Sequence, residues 1–253
     1  KTIAMLVKDG RYRDVYIPED LYQELREAVA ERDRLVQRLT TINNQVERWL
    51  DIHFPEFQTV FSDWQGKAAF LTLRHFPTPE KIVSAGPAKI EEIWKRSMKR
   101  SAGLKRAEKL VKVASTSIGR KIGLVAAEAS LQNLLTEHEL YSEQYEQLEQ
   151  LMMDLLMQVP NAGKLLDIKG VGLITAATFV GEVGNISCFQ DPRQIQKVAG
   201  FNLVENSSGK HRGKTRISRR GRRRLRHGLF MAMITILATN PEFRMLHQKN
   251  LTR

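Results

Sequence analysis

The chain has 253 residues, a formal net charge of +12 and a hydrophobic content of 42%. This composition excludes wholesale disorder, because so many apolar residues suffice for a core, and the length predicts one or two domains. The single cysteine, Cys188, excludes an internal disulfide, and no Cys/His spacing typical of a zinc site occurs. The longest apolar stretch, residues 225–238, is too short and too amphipathic to span a bilayer, so we expect no membrane partner.

Residues 1–17 predict a short helix, a turn at Asp9 and an extended piece near Val15–Ile17. A long helix follows, because apolar residues recur at steps of three and four from Leu21 to Trp49. This spacing is typical of a heptad-like stripe. A proline six residues after Trp49 ends the helix.

A second stripe with the same steps runs from Leu131 to Val159 and predicts another long helix. Two such helices can pack within one chain as a helical hairpin, or between two chains as a coiled-coil dimer. The spacing does not decide between the two. We interpret His138 as a residue of the helix seam, not as a ligand.

The region between the stripes, residues 62–130, predicts two short helices separated by turns rich in Gly, Pro and Ser. Its basic residues lie among acidic ones, which favours a solvated face over a second nucleic-acid contact. These basic residues are Lys95, Arg96, Lys99, Arg100, Lys105 and Arg106.

A glycine turn follows the second stripe. Gly170 and Gly172 lie two residues apart, which permits a tight turn and a close approach of backbone N–H groups to a ligand. The next helix, with Ala176 at helical spacing, begins with unpaired N–H groups that suit a phosphate. The pattern resembles a helix-hairpin-helix motif, which holds DNA backbone without reading bases. With Lys169, these glycines are candidate DNA-binding residues; the alternative is a packing corner without a ligand.

A strongly basic segment spans residues 206–228 and contains no acid. A local basic patch is typical of phosphate binding, so we expect DNA contacts here. The candidates are Lys210, Arg212, Lys214, Arg216, Arg219, Arg220, Arg222, Arg223, Arg224 and Arg226.

The end of this segment predicts a helix with one apolar face, from Leu225 to Leu237, packed on a core. Asn240, before a proline, ends it, and Ser218 is the expected N-cap. Several arginines would then crowd the helix N-terminus, where the dipole disfavours positive charge. We infer that bound phosphates relieve this repulsion. The apolar face of the helix, packed on a core, argues against a disordered tail.

Ser207 and Ser208 open the basic segment and precede Gly209. A serine that attacks a phosphodiester needs a base for its proton and cations for the developing charge. Arginines satisfy the second need, and His211 or a neighbouring lysine is a candidate base. The residue types by themselves favour a turn over a nucleophile at these serines. The main alternative for the basic segment is non-catalytic binding of nucleic acid.

Three stretches together carry a family resemblance: "IKGVGLITAATFVGEVG", "FQDPRQIQKVAGF" and "SSGKHRGKTRISRRGRRRLRHGLF". They resemble the C-terminal domain of bacterial insertion-sequence transposases of the DEDD-plus-serine type, the bridge-RNA-guided recombinases. The N-terminal part, including "LREAVAERDRLVQRLTTINNQVERWL", is similar to the segment that follows the nuclease-like domain in that family.

The residues and the resemblance together predict a mainly α fold, with long coiled-coil-like helices and a helical C-terminal domain containing the helix-hairpin-helix. The expected divisions are 1–17, a remnant after the nuclease-like domain; 18–157, the long helices and connector; and 158–253, the serine transposase domain.

The resemblance implies DNA transposition by site-specific recombination, with Ser208 as the nucleophile and Ser207 as the second choice. Arg212, Arg216 and Arg219, with Arg220, would hold the phosphate. The alternative is a non-catalytic accessory protein that binds DNA backbone or RNA.

The resemblance also implies partners: DNA, a guide RNA and further copies of the chain, assembled through the long helices in the bacterial cytoplasm. An RNase-H-like domain with four acidic residues that bind Mg²⁺ would precede residue 1. We therefore expect no cofactor within this chain, and we expect the chain alone not to complete strand exchange.

Overall fold

The structure is a computed structural model that describes residues 2–10, 20–98, 103–204, 207–208 and 211–251. The fold is mainly helical, which confirms the expected fold class. The chain divides into two compact units. The first unit comprises residues 1–32 and 147–253, and the second comprises residues 33–146. Both boundaries fall inside long helices, and the sequence-based division after residue 157 stays a prediction.

The described residues form α-helices, three short 3₁₀ helices and four two-residue strands. The α-helices are α1 (Thr2–Lys8), α2 (Asp20–His53), α3 (Lys67–His75), α4 (Pro79–Ser97), α5 (Leu104–Ser115), α6 (Leu124–Gln158), α7 (Leu173–Val183), α8 (Pro192–Ala199), α9 (Arg223–Thr239) and α10 (Pro241–Leu251). The 3₁₀ helices are Pro55–Thr59, Ala162–Leu165 and Ile186–Cys188. The strands are β1 (Leu203–Val204), β2 (Ser207–Ser208), β3 (His211–Arg212) and β4 (Arg216–Ile217). The predicted turn at Asp9 follows α1, and the extended piece at Val15–Ile17 lies outside the described residues.

The second unit has an aromatic core between α2 and α6. Val46 of α2 and Leu131 of α6 are fully buried in one cluster, and Trp49 Nε1 donates to the Ala127 carbonyl at 2.8 Å. The two stripes thus meet within the chain. His138 packs edge-on against Trp64, with ring centroids 4.9 Å apart, and burial lowers its pKa. This placement confirms a structural role in the seam; assembly of several copies through these helices stays a prediction.

The region between the two stripes, residues 62–130, contains the three helices α3, α4 and α5, whereas the sequence predicted two. The additional helix, α3, begins after its N-cap Gly66 and buries Ala69 and Leu73 in the core. Helix α4 bends at Gly86, which adopts φ 72° and ψ 165°. Pro87 follows and starts the second part of α4, because proline is well accommodated in a first helical turn.

The first unit packs α7 against parts of α2 and α6. Leu25, Met152, Leu156 and Ala176 are fully buried in this cluster. A smaller cluster around Val183, Ala199 and Leu225 joins the ends of α7, α8 and α9. The described residues on either side of the hairpin are therefore attached to buried helix ends.

Candidate nucleic-acid interface

The glycine turn leads directly into α7. Gly172 is the N-cap of α7, is exposed, and caps the helix without a side-chain hydrogen bond. The segment before the turn is only the four-residue 3₁₀ helix Ala162–Leu165 followed by turns. A full first helix is thus missing at this place, so the helix-hairpin-helix motif stays a prediction.

The two glycines of this turn have different surroundings. Gly170 has φ 96°, and a Cβ built on it would lie 2.7 Å from Thr239 Oγ1 and 2.8 Å from Ile236 Cα. A Cβ on Gly172 would meet no atom within 4 Å. Gly170 therefore lets the turn pack against α9, whereas Gly172 and the exposed Lys169 lie on open surface.

The serines lie on a nested β-hairpin that the sequence did not predict. Outer strands β1 and β4 pair antiparallel, and inner strands β2 and β3 pair antiparallel between them. In the inner register, Ser207 faces Arg212 and Ser208 faces His211. Ser208 is thus the last strand residue before the tip. Gly209 and Lys210, which connect β2 to β3 in the sequence, lie outside the described residues.

The start of α9 differs from the prediction, because Arg222 is the N-cap and Ser218 is not. Ser218 follows β4: its N–H donates to the Asn202 carbonyl, and its Oγ accepts the Arg220 N–H at 3.2 Å. This local turn holds Ser218 five residues before the first residue of α9. Arg222 at the N-cap and Arg223, Arg224 and Arg226 in the first turn place four arginines at the start of α9.

Three arginines of the basic segment point into the protein. Arg222 Nη1 donates to the Glu182 carbonyl at the end of α7, and Arg224 Nη1 lies 3.4 Å from Glu182 Oε1. Arg226 Nη1 donates to the carbonyls of Ala199 and Arg219, at 3.1 Å each. Cations at the ends of α7 and α8 also interact favourably with the helix dipoles. These contacts make the three arginines structural braces.

Arg219 is held in an unusual backbone conformation by one of these braces. Its φ is 54°, its N–H donates to the Gly200 carbonyl at 3.1 Å, and its own carbonyl accepts from Arg226. A left-handed conformation is costly for a residue other than glycine and persists only where its surroundings impose it. The exposed Arg219 side chain is therefore presented from a fixed backbone.

Five basic residues between β3 and the start of α9 form the outer face of this region. All are exposed, and none has a carboxylate partner within the described residues. This outer basic face consists of Lys214, Arg216, Arg219, Arg220 and Arg223, whereas Lys169 lies by the glycine turn, near the C-terminal end of α9. The backbone of Arg212 lies in β3, and Lys210 is not described, so neither is assigned to a face. A face of this kind attracts phosphates over a Debye length and gives salt-dependent binding.

Glu182 is a site residue that sequence reasoning missed. It is 3% exposed, and its Oε1 lies 3.7 Å from Arg26 Nε of α2 in addition to its contact with Arg224. A carboxylate at a helix C-terminus is disfavoured by the dipole, so it needs these cations. The available signal was a lone acid in the otherwise apolar stretch "TAATFVGEVG".

Replacing Glu182 by alanine is expected to lower the free energy of unfolding by about 2 kcal/mol. The arginines lose their shared anion, but Arg26 and Arg224 remain about a third exposed and keep part of their hydration, which limits the cost. Chemical denaturation measures the change. Asp167→Ala, which removes an exposed acid in the same unit, is the control and should stay within about 0.5 kcal/mol; an equal loss in both would contradict the bracing role.

Helix α9 is less embedded than the sequence predicted. Leu225 and Ala232 are buried, whereas Phe230 is 61% and Met233 is 45% exposed. The helix is thus covered along the line of Leu225, Gly228 and Ala232, where Gly228 lies against Thr178 of α7, and Phe230 and Met233 lie outside this line. The predicted end at Asn240 is confirmed, and α10 begins at Pro241.

No group of three His, Cys, Asp or Glu side chains lies close enough to hold a metal ion in the part of the chain that the structure describes. Among the same residues, no helix combines the length and apolar character needed to cross a membrane.

Two comparisons with known proteins bear on this unit. Residues 162–248, which include the glycine turn, the hairpin and α9, match the family model described as "Transposase IS116/IS110/IS902 family". The chain is also 23% identical over 257 residues to the "Insertion element IS900 uncharacterized 42 kDa protein" of Mycobacterium paratuberculosis. That alignment covers 100% of the chain and 64% of the relative, so the chain spans less than two thirds of its length.

Proposed function

We propose that this chain, whose residues 162–248 match the IS116/IS110/IS902 transposase domain, takes part in DNA transposition by site-specific recombination. The observation that carries the proposal is that the serine hairpin continues through its outer strand β4 into the exposed arginines Arg216, Arg219 and Arg220. Both are attached to one compact unit within the matched residues. A scaffold that fixes cations beside a hydroxyl is what phosphoryl transfer to serine requires.

In the proposed step, Ser208 Oγ attacks the phosphorus of a phosphodiester. One bond from phosphorus to a deoxyribose oxygen breaks, the hydroxyl proton passes to a base, and the leaving oxygen takes up a proton. The product is a serine–DNA phosphodiester, which a free DNA hydroxyl reverses during rejoining. We assign the base to His211, because it is the register partner of Ser208 in the inner hairpin. Arg212, Arg216, Arg219 and Arg220 would neutralise the phosphate oxygens.

A covalent-trapping assay tests this proposal. The chain is mixed with a nicked suicide duplex, with and without a supplied RNase-H-like acidic domain, Mg²⁺ and the cognate guide RNA, which the proposal also assigns as a partner. A DNA adduct on the peptide that contains Ser208 is the expected result. Tight DNA binding without an adduct in the complete mixture would instead favour the non-catalytic accessory protein. Sedimentation of the same mixture tests assembly through α2 and α6.

The double substitution Arg219→Gln and Arg220→Gln is expected to weaken binding to any duplex and to reduce the salt slope by about two units. Both side chains are exposed, so the fold should remain. Fluorescence anisotropy at several NaCl concentrations measures the slope. Arg226→Gln is the contrasting variant: it removes a brace, so it should lower the thermal midpoint by more than the double variant does. Equal effects of the two variants on stability would refute the division into inner braces and an outer face.

A further inference from the structure

Helices α9 and α10 expose many apolar side chains in the first unit. Each of these side chains is at least 37% exposed, and they are Phe230, Met231, Met233, Ile234, Phe243, Met245, Leu246 and Leu251. Single exposed apolar residues are common on soluble proteins, but a concentration of this kind is typical of a contact with another protein. These side chains belong neither to the serine hairpin nor to the outer basic face.

Helix α10 is attached to the end of α9 by hydrogen bonds. Arg244 Nε donates to the Leu237 carbonyl at 3.1 Å, and Asn240 Oδ1 accepts the Glu242 N–H at 3.1 Å. Within the described residues, α10 buries none of its side chains. An isolated helix of 11 residues is marginal in water, because helices in proteins are stabilised chiefly by the packing of an apolar face. Helix α10 therefore has a packing surface that the described residues leave uncovered.

One face of α10 has a regular pattern of charged and apolar residues. Four residues at positions i, i+3, i+4 and i+7 share this face. We call them the α10 seam, and they are Glu242, Met245, Leu246 and Lys249. Arg244, which contacts α9, lies about 150° around the helix from the middle of the seam, so the seam points away from α9.

The α10 seam is complementary to a second copy of itself. Its acid lies at the N-terminal end, its base lies at the C-terminal end, and its two apolar residues lie between them. When two α10 helices pack antiparallel about a twofold axis between Met245 and Leu246, Glu242 of each copy faces Lys249 of the other copy. A parallel arrangement would instead place like charges opposite each other. The charges of the seam therefore favour an antiparallel pair.

Helix α9 adds apolar area to this surface. Phe230, Met233 and Ile234 follow the same three-and-four spacing, so they lie on one face of α9. The eight exposed apolar side chains of α9 and α10 offer roughly 100 Å² each, which together approaches the area of about 800 Å² that one partner contributes to an interface of standard size. The available area is therefore sufficient for a stable dimer.

We propose that the α10 seam and the exposed apolar side chains of α9 form a dimer contact with the same surface of a second copy of this chain, in which the two α10 helices are antiparallel. The contact differs from assembly through α2 and α6, because it involves neither of those helices. Two copies joined in this way carry two serine hairpins, which suits the proposed recombination because it cuts more than one strand. The contact itself requires no nucleic acid.

Sedimentation equilibrium of the full chain, without nucleic acid, tests the contact. Leu246→Asp places two like charges beside the twofold axis and is expected to raise the dissociation constant of the dimer by at least about tenfold. Leu246 is exposed, so each copy should keep its fold. Leu251→Asp is the matched control, because it adds the same charge at an exposed leucine on the opposite side of α10. This control should leave the dissociation constant unchanged.

An exchange of charges tests the antiparallel arrangement. Glu242→Lys alone makes lysines face each other across the contact and should weaken association about threefold or more. Adding Lys249→Glu to the same chain restores opposite charges in an antiparallel pair and should recover most of the lost affinity.

A chain that stays monomeric at its highest soluble concentration overturns the proposal. A dissociation constant that Leu246→Asp leaves unchanged, or that both single aspartate substitutions raise equally, overturns it as well. If the double charge variant associates no better than Glu242→Lys, the antiparallel pairing is wrong. None of these measurements involves DNA or the Ser208 adduct, so failure of this contact and failure of the recombinase proposal are distinguishable.

Discussion

Replacing Ser208 by alanine is expected to abolish the covalent protein–DNA adduct, with a loss of about 10³-fold or more. Alanine removes the only atom that can form the serine–DNA bond, whereas the five residues of the outer basic face remain. Duplex affinity should therefore change by less than about twofold. Denaturing gels measure the adduct and fluorescence anisotropy measures the affinity.

Ser207→Ala is the matched control, because Ser207 precedes Ser208 in the same two-residue strand. It should retain the adduct. If Ser207→Ala loses the adduct and Ser208→Ala retains it, the nucleophile is Ser207. If neither substitution changes the adduct, the covalent bond is formed elsewhere and the assignment of the hairpin serines is wrong.

Replacing Gly170 by alanine is expected to lower the free energy of unfolding by about 2–5 kcal/mol. Two costs contribute: the left-handed backbone at φ 96°, and a Cβ that would lie 2.8 Å from the Ile236 Cα of α9. Backbone atoms cannot move aside as a flexible side chain would, so the turn or α9 must shift. Thermal and chemical denaturation of the full chain measure the loss.

Gly172→Ala is the control at the same turn. Its backbone at φ −99° suits alanine, and its Cβ would meet no atom within 4 Å. Stability should therefore fall by no more than about 1 kcal/mol, because alanine is a poorer N-cap than glycine but causes no clash here. A methyl group at this exposed helix start should instead hinder a phosphate, so a reduced duplex affinity is expected. Unchanged affinity would make the turn a packing corner.

The long helices and their ends could be predicted from the sequence because they depend on local periodicity. The three-and-four spacing from Leu21 to Trp49 and from Leu131 to Val159 determines which face is buried, whatever the partner. The end of α9 at Asn240 follows from Pro241, because a proline ring disfavours the helical conformation in the residue before it. Helix α3 was missed because its nine residues give too short a pattern beside Gly and Pro turns.

The amino-acid sequence by itself determined the helical class, the positions of the basic residues and the resemblance to insertion-sequence transposases. Only the tertiary structure decided what each basic residue does. Arg224 braces Glu182, 42 positions earlier in the chain, whereas Arg223 beside it is exposed. Gly170 and Gly172 are likewise residues of one type, two positions apart, but the fold gives them different neighbours. Periodicity predicts which face of a helix is buried, because it depends only on residues of that helix. Whether a cation is neutralised or available for a phosphate depends on the carboxylates and carbonyls that folding brings close to it.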